Sequence, residues 1–242
     1  MPTLSFKRVE QKFLINLETY EILKEALLDK LDYDPFCFDG ASYLIQNIYY
    51  DSVNNDLISH SISKPSFKQK IRLRKYGNMH DVFLENKSKI EGVVKKRRIR
   101  VSVDEASDFV FHHLHPQRDS YLDQQIIAEL DYLIRYYDLV PAVYLAYDRV
   151  AFMSKDPQDD LRVSFDFNIR TRRKNFVFDD EQNTTNLLAP DMVVMEIKTS
   201  TVFPLWLAKL LSNHRIYPKS VSKYGTEYMN YLMVKGENHG FF

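Results

Sequence analysis

The feature that most constrains the fold is the segment S-F-K-Q-K-I-R-L-R-K-Y-G, residues 66–77. Read with a period of two residues, one side is apolar or neutral and the other side is entirely cationic. The two sides are Gln69, Ile71 and Leu73 against Lys68, Lys70, Arg72 and Arg74. This period indicates a β-strand with two different faces. The segment therefore predicts a strand that carries four cations in a row on one face.

Similar alternation recurs along the chain, separated by segments with helical periodicity. The predicted strands are 6–16, 43–51, 67–76, 82–89, 93–103, 142–153, 161–171 and 192–200. The predicted helices are 17–31, 54–62, 104–113, 120–137, 204–213 and 223–233, with a loop over 174–190 that holds one more short strand at its start. We expect an α+β fold, with an antiparallel β-barrel or sandwich of about eight strands and helices packed on the outside.

The polar faces of these strands contain many cations and few carboxylates. The predicted polar sets are Arg8, Glu10 and Lys12; Glu85 and Lys87; Lys96, Arg98 and Arg100; Tyr147 and Arg149; Arg162, Ser164, Asp166, Asn168 and Arg170; and Glu196 and Lys198. The carboxylates among them are Glu10, Glu85, Asp166 and Glu196. Solvated sheet faces usually carry both basic and acidic side chains. The excess of cations over carboxylates on these faces therefore indicates a function.

Two interpretations fit these faces. The first is an antiparallel sheet with one solvated face, which is common. The second is a barrel whose cationic face lines a lumen, where an uncompensated charge costs several kcal/mol. A ligand with closely spaced negative charges would supply the compensation, and phosphate chains fit best because Arg binds phosphate bidentately. The carboxylates would then hold Mg²⁺ or Mn²⁺.

Composition narrows the class of protein. The 242 residues carry 33 basic and 33 acidic side chains, and a net charge of zero argues against non-specific nucleic-acid binding. One cysteine, Cys37, excludes an internal disulfide and indicates a reducing compartment. There is no apolar run of 18 residues and no apolar signal core, so we expect a cytoplasmic protein, with a membrane-bound partner left open. No dinucleotide or P-loop motif occurs.

Nine short motifs, in order, are similar to those of a known family. They are R-V-E-Q-K-F (8–13), I-Y-Y-D-S (48–52), K-I-R-L-R-K-Y (70–76), F-L-E-N-K (83–87), K-K-R-R (95–98), Y-D-R-V-A-F (147–152), L-R-V-S-F-D (161–166), M-E-I-K (195–198) and S-K-Y-G (222–225). Together they resemble the VTC domain, the polyphosphate polymerase domain within the CYTH, or triphosphate tunnel metalloenzyme, superfamily. The resemblance extends over roughly residues 5–235.

The resemblance implies a single tunnel domain, residues 1–242, built on an antiparallel β-barrel. Such a domain transfers the terminal phosphoryl group of a nucleoside triphosphate, ATP, to a growing polyphosphate chain, with Mn²⁺ or Mg²⁺. The implied catalytic residues are Lys12, Arg72, Arg74, Arg149 and Lys223. The implied phosphate-binding residues are Lys87, Lys96, Arg98, Tyr147, Arg162, Lys198 and Ser222. The implied metal ligands are Glu196, then Glu10 and Glu85.

One departure concerns the first strand. The superfamily signature there is E-x-E-x-K, whereas this chain has Arg8-x-Glu10-x-Lys12. Replacing the first carboxylate by Arg removes one possible metal ligand and resembles the polymerase branch more than the hydrolytic one. Three other functions stay open: a metal-dependent triphosphatase, a non-catalytic polyphosphate-binding module and a nucleic-acid-binding barrel. The role of His112, His113 and His115 is also open.

Overall fold

The computed structural model describes residues 9–91, 93–200 and 202–236. Arg8 and the start of the predicted first strand lie outside these ranges. The chain divides into two compact units. Unit 1 holds the described residues of Met1–Leu44, Tyr147–Arg170 and Asn186–Lys223, and unit 2 holds those of Ile45–Ala146, Thr171–Thr185 and Tyr224–Phe242.

Eight main strands form an antiparallel sheet in the order β1-β10-β8-β7-β3-β4-β5-β6, with β2 paired to β7 and β9 to β8. The strands are β1 Val9–Asn16, β2 Leu31–Tyr33, β3 Tyr43–Asp51, β4 Phe67–Tyr76, β5 Val82–Ile90, β6 Val93–Val101, β7 Val140–Ser154, β8 Arg162–Arg172, β9 Thr185–Asn186 and β10 Met192–Thr199. The predicted fold class, an antiparallel sheet of about eight strands with surrounding helices, is confirmed.

The described residues contain six α-helices and one 3₁₀ turn. They are α1 Leu17–Leu28, α2 Asp56–Ile62, α3 Val103–His112, α4 Tyr121–Tyr137, α5 Leu205–Asn213 and α6 Lys223–Lys235, with the 3₁₀ turn at Phe38–Gly40. The predicted helix 17–31 ends earlier, because its last predicted residue, Leu31, pairs with Ser154 as the first residue of β2. The extra strand of the 174–190 loop lies near the end of the loop, at β9, and not at its start.

Alternation places the core of unit 1 on the apolar faces of its strands. Phe13 and Ile15 of β1, Val163 and Phe165 of β8, and Met195 of β10 are buried in one cluster. Helix α1 packs Leu23 and Leu27 into this cluster, and α5 adds Leu207 and Leu211. Burying a Leu or Phe side chain contributes about 1.5–3 kcal/mol, so the apolar faces hold the helices against the strands.

Unit 2 follows the same rule on β4, β5 and β6. Ile71, Leu73, Leu84 and Ile99 are buried on the face opposite the cations. The amphipathic helices α3 and α4 bury their apolar sides, including Phe109, Val110, Ile126, Ile127 and Leu130. Because the apolar face is covered, the cationic face of the same strands is left for other groups.

Side-chain caps set the starts of several helices. Ser102 begins α3 with a capping box: its hydroxyl accepts the N–H of Glu105, and the Glu105 carboxylate accepts the N–H of Ser102. Helix α2 begins in a different way. Its N-terminal N–H groups at Leu57 and Ile58 are bound by the buried carboxylate of Asp51, while Ser52 accepts the N–H of Asp56.

None of the described helices combines the length and the apolar character needed to cross a membrane.

We predict that Ser102→Ala lowers the free energy of unfolding by about 1 kcal/mol, because the N–H of Glu105 loses its acceptor. The matched control is Ser107→Ala, an exposed position within the same helix, which should leave stability unchanged or slightly raised. Urea denaturation followed by circular dichroism measures both. Equal effects from the two substitutions would contradict the capping assignment.

Candidate functional site

Asp166 is the centre of the polar cluster in unit 1. It lies on β8, is fully buried, and accepts two hydrogen bonds from Arg149 of β7, from Nε at 2.6 Å and Nη2 at 2.9 Å. Lys223, the first residue of α6, donates to Oδ2, the oxygen that also accepts from Arg149 Nη2. Burial acts to raise the pKa of Asp166, but Arg149 and Lys223 prevail and hold it below its usual range. The Asp166 carboxylate therefore stays ionised and orients both cations.

Tyr147 contacts the same two cations through its ring. The guanidinium carbon of Arg149 lies 5.2 Å from the ring centroid, and Lys223 Nζ lies 4.7 Å from it. Cation–π contacts of this kind attract a partly desolvated cation to the ring face. Tyr147 and Arg149 of one predicted motif and Lys223 of another thus come together around Asp166, which was predicted only as an acidic residue of its strand face.

A second part of the unit 1 cluster lies across β1 and β10. The strand register pairs Lys12 with Glu196 and Glu10 with Lys198. Lys12 Nζ is 3.5 Å from Glu10 and 3.9 Å from Glu196, and Lys198 Nζ is 3.0 Å from Glu196. Burial acts to raise the pKa of Glu196, but Lys198, a hydrogen bond with Glu10, Lys12 and Arg149 hold it well below its usual range.

The Glu10 and Glu196 pair fits a divalent cation in part. Both carboxylates lie within 4 Å of Lys12 Nζ, and carboxylate oxygens are among the ligands that Mg²⁺ prefers. Mg²⁺ usually keeps several of its coordination positions for water and substrate phosphates. Two protein carboxylates are therefore enough for such a site. Among the residues that the structure describes, no three His, Cys, Asp or Glu side chains form a metal-binding group.

Arg162 of β8 is paired with a carboxylate that the sequence analysis missed. Its Nη2 lies 2.6 Å from Asp34 and 3.3 Å from the Tyr43 hydroxyl. Asp34 is buried and follows β2, a strand that the sequence did not predict. The five unit 1 cations Lys12, Arg149, Arg162, Lys198 and Lys223 thus meet four carboxylates, Glu10, Asp34, Asp166 and Glu196. This cluster is nearly neutral.

The predicted face of β8 is interrupted beyond Asp166. Asn168 has a left-handed backbone with φ 47°, and it and Arg170 both contact Asp148. Asp148 lies between Tyr147 and Arg149 on β7, so strand parity places it on the other face from them. Asn168 and Arg170 were predicted on the same face as Asp166, but they are not among the residues around it.

Unit 2 carries the other cationic cluster, on β4, β5 and β6. Glu85 of β5 is fully buried and accepts from Arg72 Nε at 2.9 Å and Nη2 at 2.8 Å, while its other oxygen is 2.7 Å from Lys96 Nζ. Burial acts to raise the pKa of Glu85, but Arg72, Arg74 and Lys96 lower it to about 2. Glu85, predicted as a reserve metal ligand, is bound by cations in this structure.

The register of these strands aligns the cations in rows. The rows run Arg74–Phe83–Arg100, Arg72–Glu85–Arg98, Lys70–Lys87–Lys96 and Lys68–Lys89–Val94. These twelve positions hold nine cations and a single carboxylate, Glu85. The predicted excess of cations over carboxylates is thus concentrated in unit 2, on a face of three adjacent strands.

Several neutral residues support these cations and were absent from the sequence prediction. Arg74 donates to Asn47 at 2.9 Å and to the Tyr76 hydroxyl at 3.2 Å, and Arg72 donates to the Tyr49 hydroxyl at 3.1 Å. Arg98 lies over the Phe83 ring at 4.7 Å. Asn47 and Tyr49 alternate along β3 and lie directly opposite Arg74 and Arg72 of β4. The sequence would have predicted these contacts only if the pairing of β3 with β4 had been known.

Two further residues were predicted to bind phosphate, Lys87 and Ser222. Lys87 lies between Lys70 and Lys96 in its row, and Ser222 directly precedes Lys223 at the start of α6. The binding roles of all the site residues stay predictions.

The chain belongs to the VTC domain family, whose model matches residues 7–231. No curated protein matches the sequence.

The chain is similar to several solved structures, of which the first below shows the same fold. A candidate adenylate cyclase from Bacillus halodurans is 15% identical, with a TM-score of 0.52, and the match covers 89% of this chain and 93% of that one. A candidate adenylyl cyclase from Hippeastrum, described as having a dominant triphosphatase activity, is 16% identical over 96% and 98% of the two chains, with a TM-score of 0.49. A candidate adenylate cyclase from Vibrio parahaemolyticus is 10% identical over 91% and 97%, with a TM-score of 0.46.

We predict a distinct acid response for Glu85→Gln. The folded-state pKa of Glu85 is lowered from 4.5 to about 2, so its carboxylate stabilises the fold above pH 4.5 and this contribution is lost as the pH falls to about 2. The shift corresponds to about 3 kcal/mol. The variant should be less stable than the wild type by this order at pH 7, with a much smaller difference near pH 2.

Urea denaturation at pH 7, 4 and 2.5 measures this effect. Glu91→Gln, which changes an exposed carboxylate between β5 and β6, is the control and should follow the wild type at each pH. The assigned ion pairs would be contradicted if the difference in stability between Glu85→Gln and the wild type were the same at all three pH values.

Proposed function

We propose that this protein is a metal-dependent polyphosphate polymerase that forms one tunnel domain over residues 1–242. It would transfer the terminal phosphoryl group of ATP to inorganic polyphosphate. The observation that carries the proposal is the face of β4, β5 and β6, where nine cations accompany a single carboxylate. Membership of the VTC domain family supports the same activity.

A polyphosphate chain matches the layout of this face. Successive rows of cations lie about 6.8 Å apart, which is two residues of an antiparallel strand. The ligand that neutralises them must therefore carry negative charge continuously along the strands. A phosphate chain does so, whereas a single phosphate would reach only one row. Charge-assisted hydrogen bonds of this kind contribute about 1.5–3 kcal/mol each, so several rows together bind an extended anion.

Unit 1 supplies the groups suited to phosphoryl transfer. Glu10 and Glu196 would hold Mn²⁺ or Mg²⁺, which when bound neutralises charge on phosphate oxygens. Lys12 and Lys198 offset the charge of the two carboxylates, and Asp166 holds Arg149 and Lys223 in fixed positions. Preorganised cations of this kind stabilise charge that develops during phosphoryl transfer.

The acceptor in this reaction needs no catalytic base. A terminal phosphate has a second pKa near 6 and is already ionised at neutral pH. The same groups would catalyse hydrolysis of triphosphate if water took the place of the acceptor. The triphosphatase is therefore the second candidate, and the products of the reaction distinguish the two.

We expect incubation with ATP and Mn²⁺ to yield phosphate chains that form a ladder on a polyacrylamide gel. Phosphate release without chains would overturn the polymerase and leave the triphosphatase. Binding of added polyphosphate with neither product would instead indicate a non-catalytic binding module.

We predict that Glu196→Gln reduces turnover by at least a hundredfold while it retains binding of polyphosphate, because it loses metal affinity but keeps every cation. Glu21→Gln is the control, since Glu21 is an exposed residue of α1 that pairs with Lys24, and it should behave as the wild type. Rates are compared at the Mn²⁺ concentration that just saturates the wild type, and polyphosphate binding is measured without metal. Wild-type turnover in Glu196→Gln would remove Glu196 from the reaction.

A further inference from the structure

Strand β3 faces the arginines of β4 with a matching set of side chains. The antiparallel register pairs Tyr49 with Arg72 and Asn47 with Arg74. Both β3 residues are buried, with Asn47 fully excluded from solvent. Each offers an oxygen to the guanidinium directly opposite, so the two arginines meet a neutral acceptor on one side of their strand.

Arg72 is held on two sides. The Glu85 carboxylate accepts from Nε and Nη2, and the Tyr49 hydroxyl accepts from Nη1 at 3.1 Å. Contacts at Nε, Nη1 and Nη2 together restrain rotation of the planar guanidinium about the Cδ–Nε bond. Its plane is therefore fixed within unit 2 by Glu85 from β5 and Tyr49 from β3.

Tyr49 is itself immobilised. Its ring stacks on Tyr224 with centroids 4.6 Å apart and an interplanar angle of 29°. The Tyr224 hydroxyl donates to Asp51 at 2.9 Å, and Asp51 also binds the N–H groups of Leu57 and Ile58 at the start of α2. The position of the Tyr49 hydroxyl thus depends on a buried carboxylate with four hydrogen-bond donors rather than on a mobile side chain.

Asn47 has the corresponding arrangement at Arg74. Its Oδ1 accepts from Arg74 Nε at 2.9 Å, and its Nδ2 donates to the carbonyl of Leu145 at 3.0 Å. The second contact fixes which way the amide faces. Tyr76 completes the set by accepting from Arg74 Nη1 at 3.2 Å.

We propose that Tyr49 and Asn47 are positioning residues that fix the guanidinium planes of Arg72 and Arg74 for phosphate. The inference rests on the proposed function and extends it from the arginines of β4 to the neighbouring strand β3. Bidentate recognition depends on the angle of the guanidinium plane as well as on its charge. A freely rotating arginine would lose this advantage, since ordering its side chain on binding costs about 0.5–1.5 kcal/mol.

The charges around Tyr49 provide a spectroscopic signature. Burial acts to raise the pKa of Tyr49, but Arg72, Lys70 and Arg74 lower it to about 8. The other titratable groups on this path are Tyr224 and Asp51, whose pKa values are raised mainly by burial, and the ion-paired Glu85. A phenolate absorbance change near pH 8 that disappears in Tyr49→Phe would report the contact directly.

The test is binding of inorganic triphosphate, measured by calorimetry on the full chain at constant salt. Tyr49→Phe keeps the ring and its stack but removes the hydroxyl, and we expect its affinity to fall about tenfold. Tyr50→Phe changes the next residue, which is buried on the opposite face of β3, and should bind as the wild type. Tyr224→Phe removes the hydroxyl behind the stack, and we expect a loss of stability larger than its loss of affinity.

A double-mutant cycle shows whether Tyr49 acts through Arg72. Adding Tyr49→Phe to Arg72→Lys should cause no further loss of affinity, because lysine has no plane for Tyr49 to fix. Adding it to Arg74→Lys should retain the full tenfold loss. Additive effects in both backgrounds, or unchanged affinity in Tyr49→Phe, would overturn the positioning role while leaving the proposed function standing.

Failure of the proposed function gives a different result from failure of the positioning role. If the wild-type protein does not bind triphosphate, the proposed function and the inference both fall, and the Tyr49 hydroxyl is then a structural group. If Tyr49→Phe loses both stability and affinity, comparison with Tyr224→Phe shows whether the loss of affinity follows from the loss of stability. Equal affinity losses in Tyr49→Phe and Tyr224→Phe would contradict a specific role for Tyr49.

Discussion

A buried carboxylate that receives two cations is the interaction on which the polar face of each unit depends. Asp166 binds Arg149 and Lys223 in unit 1, and Glu85 binds Arg72 and Lys96 in unit 2. An uncompensated buried charge costs several kcal/mol, so neither set of cations could be held in this way without its carboxylate. The same carboxylates also set the orientation of the arginines, which a solvated surface would leave free.

The two units distribute charge differently, and this difference connects structure to function. In unit 1 five cations meet four carboxylates, a balance suited to a metal ion and the phosphate that it binds. In unit 2 the twelve aligned positions on three strands hold nine cations and one carboxylate, and this is the face to which we assign the proposed polyphosphate. A chain with zero net charge can thus carry a strongly cationic face, because the compensating acids lie elsewhere on its surface.

Sequence periodicity predicted the strands well because side chains on a β-strand alternate with a period of two. The bounds of β3 and β4 match the prediction, and the separation of Arg72 and Arg74 from Ile71 and Leu73 is as expected. Periodicity failed where local backbone departs from a regular strand. Asn168, with its positive φ, redirects Arg170 to Asp148, and the three-residue β2 is too short to show a period.

The sequence by itself determined which residues share a face along the regular strands, where the cations are concentrated on those strands, and the family. These follow from alternation and from motif order, which are local properties of the chain. Only the tertiary structure decided which cation meets which carboxylate, as in Arg162 with Asp34, and which neutral residues fix the arginines, as in Tyr49 with Arg72. The physical reason is that strand register and pairing order set these contacts, and the partners lie 128 and 23 residues apart (162 − 34 and 72 − 49).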